Sequence, residues 1–173
     1  RKIKFIVEDD GFQAARAIAA TKKLVEQDKV FALVGTLGTP GVAATIDYIM
    51  DNKIPSIYQG TGISAPAYPP KKYFFPVQPN YTSEGRIIAA YVVENLKMKK
   101  IALACEQTDI GSEGLRGVQE QLAIYKMAPV EVIRFGAADV DFSSQILKLM
   151  KAKPDAVIIY STIKPAAGFL KQA

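Results

Sequence analysis

Three glycines, Gly35, Gly38 and Gly41, recur at every third position in "VGTLGTPG", residues 34–41, where an apolar run gives way to helical spacing. A glycine-rich turn between a strand and a helix exposes amides at the positive end of the helix dipole, which suits an anion. The same residues also make a plain tight turn. The dinucleotide fingerprint would need glycine at Leu37, and the phosphate-binding P-loop would need a Gly-Lys-Ser/Thr that does not follow. The chemistry that remains is a smaller anion, such as a carboxylate, met by Thr39 and nearby amides. Pro40 suits the first turn of the following helix.

A second loop, "YQGTGIS", residues 58–64, offers the hydroxyls of Thr61 and Ser64 and the carbonyl of Gly60, with Gly60 and Gly62 permitting close backbone approach. It too reads equally as a flexible turn. Further along, "CEQTDIG" and "YSTIKP" end two apolar runs and bring Asp109, Tyr160 and Thr162 to strand ends. Tyr160 reads as either a site residue or a core aromatic. The acidic "FIVEDD", residues 5–10, looks like the metal-site start of a phosphoacceptor receiver domain. That reading needs an aspartate ending a later strand, but "VFALVG" ends in Gly35 and Asp51 falls at a helix end. Asn80, Tyr81 and Thr82 match a glycosylation sequon, a pattern too frequent by chance to carry weight.

Histidine is absent and Cys105 is the only cysteine, so histidine triads, histidine or multi-cysteine zinc sites, CxxC redox pairs and intrachain disulfides cannot be built. No cofactor or metal is expected. Cys105, within "KIALAC", reads as a small buried hydrophobe. The net charge of +5 comes from lysines scattered at expected helix ends rather than from one basic stripe, which argues against nucleic acid as a partner.

These loops must be held by elements, and the chain alternates them almost without interruption. With 173 residues and 49% apolar content it can bury one ordinary core or two small ones. The runs "IKFIV", "VFALVG", "PSIYQ", "KIALAC", "VEVIRF" and "DAVIIYS" have the apolar character of buried parallel strands, each followed by helical spacing. Ala14, Ala17, Ile18, Thr21 and Val25 share one helical face; Phe142, Ile146 and Leu149 share another, behind Asp141 as a capping residue. Repeated β-α steps predict a doubly wound α/β architecture with mostly parallel sheets. The proline-rich "GTGISAPAYPPKKYFFPVQPN", residues 60–80, breaks the alternation, with a short strand-like piece within 73–77. A crossing between two lobes is expected near Pro79 and Asn80, with residues 1–80 in the N-terminal lobe and 81–173 in the C-terminal lobe. No stretch is long and apolar enough to span a membrane.

In order along the chain, "EDDGFQAARAIAATKKLVEQDKVFALVGTLGTPG", "NKIPSIYQGTG", "FFPVQPNYTSEGR" and "DFSSQILKLMKAKPDAVIIYS" resemble the periplasmic substrate-binding proteins of branched-chain amino acid ABC transporters, of the type I periplasmic-binding fold. The likeness covers essentially the whole chain. It implies two Rossmann-like lobes, of which this chain holds a fragment of each, and an amino-acid-like ligand enclosed when the lobes close. Carried over by position, Thr39 would bind the ligand carboxylate through its hydroxyl and amide. The loop Gly60, Thr61, Gly62 would present a carbonyl to an ammonium and amides or a hydroxyl to the carboxylate.

Where the family often has a Tyr-Gly pair covering the ligand, this chain has Ile110 and Gly111, which favours an apolar contact. Tyr160, Ser161 and Thr162 match the other contact loop of the second lobe. The resemblance places the family's first strand before Arg1 and its ammonium-pairing acid beyond Ala173. It implies a solute-binding protein, not an enzyme, in the periplasm or outside the cell, with a lipid anchor on an upstream segment as one form. Its partners would be an amino acid and a membrane permease of an ABC transporter. Aromatic or aliphatic carboxylic acids are the alternative ligands, and a ligand-sensing regulatory receptor the alternative role.

Overall fold

A computed structural model describes residues 2–173. The chain divides into two compact units, Arg1–Gln78 and Pro79–Ala173. In the first, α1 (Ala14–Lys22) runs on into a π-helical turn (Lys23–Gln27) and is followed by β1 (Leu33–Val34), α2 (Thr39–Asp51), β2 (Ser56–Ile57) and β3 (Phe74–Phe75). The three strands form a parallel sheet in the order β1-β2-β3. Val42, Thr45, Ile46 and Ile49 bury one stripe of α2, the spacing of a helix with a single apolar face. Ala17 and Thr21 are the buried residues of α1, the innermost part of the face predicted for it.

The predicted strand at "IKFIV" does not form: residues 2–10 have no regular secondary structure, and Ile3, Phe5 and Val7 are 81%, 76% and 86% exposed. A cavity of about 460 Å³ lies between this segment and the residues around β1, so the two backbones make no ladder. Apolar alternation supplies strand propensity, but a strand exists only where a neighbour takes its N–H and C=O groups. The strand-like piece within 73–77 does find such a neighbour and becomes β3 on β2.

The second unit contains α3 (Tyr81–Glu94), β4 (Ile101–Glu106), α4 (Asp109–Ile124), β5 (Glu131–Phe135), α5 (Ser143–Ala152), β6 (Ala156–Tyr160) and α6 (Ile163–Gln172). Its sheet is parallel with the order β5-β4-β6, and every residue of the central β4 is buried. Alternate residues of β4 feed two cores. Ile101, Leu103 and Cys105 pack with Ala89, Leu115, Val118, Leu122, Ile158 and Tyr160. Ala102 and Ala104 pack with Ile133, Phe135, Phe142, Leu149 and Phe169. The small alanines leave room for the Phe135, Phe142 and Phe169 rings, whose centroids lie 5.4 to 5.9 Å apart. Cys105 is one of these core groups, and burial pushes its thiol pKa up, away from the reactive thiolate.

Two devices set local detail. Asn80 caps α3 by accepting the Ser83 N–H at 2.7 Å, and Asp141 accepts the Ser143 N–H at 2.9 Å at the start of α5. Lys53, Lys97, Lys126 and Lys153 all take left-handed φ between 47° and 58° just past α2, α3, α4 and α5. Their charge lies at the negative end of each helix, where it is favourable.

Candidate functional site

In the first unit the two glycine loops are laced together by backbone. Gly35 N–H donates to the Ile57 carbonyl at 3.0 Å, Gly60 N–H to that of Thr36 at 2.9 Å, and Gly38 N–H to that of Gly60 at 3.1 Å. Leu37 and Gly60 form a parallel bridge beyond the regular strands. Each loop therefore continues the sheet past its strand and holds its residues in register with the other. Tyr58, at φ 65°, turns the chain in the left-handed region before the buried Gln59.

Gly38 is the N-cap of α2 and has φ 104°, a conformation that few side chains adopt. A Cβ there would meet the Phe12 ring at 2.5 Å, so sterics and backbone conformation both call for glycine. The hydroxyls of Thr39, first residue of α2, and Thr61 are 2.7 Å apart, and both residues are buried. Thr61 Oγ1 also accepts the Ile63 N–H at 3.2 Å. The hydroxyls predicted as carboxylate ligands thus form one pair at the N-terminus of α2, where the helix dipole and first-turn amides favour negative charge. Gly62 is buried beside them and Gly60 is half-buried. The Gly60 carbonyl, assigned by resemblance to an ammonium, already accepts from Gly38 and keeps one lone pair.

Gln59 was not singled out from the sequence. Its Nε2 donates to Ser56 Oγ at 2.6 Å, while its buried Oε1 has no hydrogen-bond partner among the described residues.

In the second unit, Cys105 on β4 pairs with Tyr160 on β6, so Glu106, the last residue of β4, and Ser161, the first residue past β6, lie side by side. The buried Glu106 carboxylate was missed in the sequence. Its Oε2 accepts the Thr162 N–H at 2.8 Å, the Thr162 hydroxyl at 2.7 Å and the Ser161 hydroxyl at 2.9 Å. Burial alone would raise its pKa, but these donors outweigh burial and hold it below the ordinary carboxylate range. The Thr108 hydroxyl is buried near the same group without a well-formed hydrogen bond. A signal existed in "IALACE": an acid ending a buried strand must find donors, because an unpaired buried charge is very costly.

Ile110, half-buried in the first turn of α4, packs on the core cluster of α3, α4 and β6. Gly111 beside it is required by close approach, since a Cβ there would lie 2.0 Å from the Glu106 carbonyl oxygen. Asp109 is exposed at the start of α4. Tyr160 takes the core position left open by the sequence. Its ring packs on Gly114 and Tyr81, and its hydroxyl donates to Glu84 Oε2 at 2.5 Å. Burial first, and the Glu84 carboxylate second, push its pKa well up, so the phenol stays protonated. Among the described residues no cluster of metal-binding side chains is present.

Repeated β-α units with parallel sheets place the chain in the class of doubly wound α/β proteins. Within that class, the chain belongs to the periplasmic binding protein family, whose pattern it matches over residues 1–173. It is 28% identical over 178 residues to the Leu/Ile/Val-binding protein of Citrobacter freundii, covering 99% of this chain and 47% of that one. The chain thus spans about half the length of the curated relatives it matches.

The structure resembles the branched-chain amino acid transporter substrate binding protein LivJ of Streptococcus pneumoniae, solved in complex with isoleucine. The TM-score is 0.77 at 27% identity, over 88% of this chain and 43% of that one. It has the fold of an ABC transporter solute binding protein from R. palustris, solved in complex with benzoate, with a TM-score of 0.87 at 22% identity over 99% and 48% of the two chains. These relatives are solute-binding proteins rather than enzymes. No described helix is long and apolar enough to cross a membrane.

Proposed function

We propose that the whole protein is the extracytoplasmic solute-binding component of an ABC transporter, which takes up a branched-chain or related amino acid unchanged and passes it to a membrane permease. The observation that carries this reading is the buried Thr39–Thr61 hydroxyl pair at the N-terminus of α2, a place where a carboxylate gains charge-assisted hydrogen bonds and the helix dipole together. The loop Gly60, Thr61, Gly62 adds backbone groups, and Ile110 and Thr162 are the contacts proposed for the second unit. The Leu/Ile/Val-binding protein of Citrobacter and the isoleucine complex of the Streptococcus protein support an amino acid as the ligand.

The second reading is an aromatic or aliphatic acid without an ammonium group. It is favoured by the benzoate complex of the R. palustris neighbour. In either case the protein works in the periplasm or on the outer surface, with a lipid anchor on an upstream segment as one form. Calorimetric titration of the full-length protein with leucine, isoleucine, valine, benzoate and p-hydroxybenzoate tests both. Heat from the amino acids alone selects the first reading, and heat from the aromatic acids alone selects the second. No binding by any of the five, or turnover of a bound acid, overturns the assignment.

A further inference from the structure

Glu106 is 1% exposed at the end of β4 and accepts three donors from the loop that follows β6 on a single oxygen. Two of those donors belong to Thr162, the N-cap residue of α6. An N-cap threonine ordinarily turns its oxygen toward the amides of its own helix. Here the hydroxyl makes no such bond and donates to Glu106 instead. The carboxylate thereby fixes both the rotamer and the backbone amide of Thr162. Its own backbone is held from the other side, where α4 approaches so closely that Gly111 has no room for a Cβ. The end of β4 thus meets the first turn of α4 through the Glu106 backbone, and the loop after β6 through its carboxylate.

We propose that Glu106 is a positioning residue of the ligand site, setting the orientation of Thr162 and the entry into α6 without touching the ligand. The inference rests on the reading of Thr162 as a ligand contact. A carboxylate suits the task because charge-assisted bonds are stronger and more directional than neutral ones. A site group held this way needs less ordering when the ligand arrives.

The test uses the full-length protein with Glu106→Gln, Thr162→Ala and the double variant, and with Thr39→Ala as a reference in the other unit. Amide hydrogen exchange reports loop order, and calorimetry with L-isoleucine and benzoate reports binding. Glu106→Gln keeps the shape of the side chain and removes its charge. Exchange at Ser161 to Ile163 is expected to rise about tenfold while the β4 amides stay protected, and affinity for the acid that the parent binds is expected to fall about tenfold.

The double variant should bind no more weakly than Thr162→Ala alone, because Glu106 acts through Thr162. A general loss of structure would instead make the two effects add. Unchanged exchange in the loop, unchanged affinity, or additive losses would each overturn the proposal. If Thr39→Ala weakens binding and Glu106→Gln does not, the functional reading stands and this inference alone falls. If the parent binds neither acid, both fall together.

Discussion

The hydroxyl oxygens of Thr39 and Thr61 lie 2.7 Å apart in the interior of the first unit, although 22 residues separate them in sequence. One opens α2 and the other follows β2, and the Leu37–Gly60 bridge between their loops sets the distance. Thr39→Ala and Thr61→Val, made in the full-length protein, are each expected to weaken carboxylate binding by about ten- to a hundredfold, the effect of one charge-assisted bond in an enclosed site. Calorimetry on both variants checks this, and ligand affinities equal to the parent's would reduce the pair to a structural contact.

Gly111→Ala is expected to destabilise the second unit by about 3 kcal/mol or more, because the added Cβ would lie 2.0 Å from a backbone oxygen that cannot rotate away. Urea denaturation measures the loss. A change below about 1 kcal/mol would mean that α4 and the end of β4 can separate more easily than their packing implies.

Tyr160→Phe removes a hydroxyl bonded to the Glu84 carboxylate and to the Tyr81 carbonyl, at 2.5 and 3.3 Å. A loss of about 1 to 3 kcal/mol in stability with unchanged ligand affinity is the expected pattern. Weaker binding without a stability loss would return the phenol to the ligand site.

Acid should destabilise the second unit through Glu106. Its folded pKa lies below the ordinary glutamate value, so the unfolded chain takes up the proton first as the pH falls. The stability it contributes is complete above the ordinary carboxylate range and is lost as the pH drops through the lowered folded value. Asp141 and Asp155, held low by hydrogen bonds to Ser143 and to the Lys99 and Lys100 amides, act in the same direction. Comparing urea unfolding at neutral pH and in acid, for the parent and Glu106→Gln, isolates the Glu106 part. A variant with as steep an acid loss as the parent would remove Glu106 from the account.

The primary sequence by itself determined the parallel β-α organisation, because buried parallel strands need near-continuous apolar runs and their crossover helices need one apolar stripe. It also made Thr39 and Thr61 visible, since glycine-rich loops at strand ends expose backbone and hydroxyls. Tertiary structure alone decided which apolar runs became strands: residues 74–75 gained a neighbour in β2, whereas "IKFIV" did not. It also placed Tyr160 among the core residues and brought Glu84 and Tyr81 to its hydroxyl from α3, 76 and 79 residues away. Glu106 was readable only as a carboxylate at the end of an apolar strand. Its donors were fixed by the pairing of β4 with β6, and a register between strands 55 residues apart is set by packing across the sheet rather than by any local pattern in the chain.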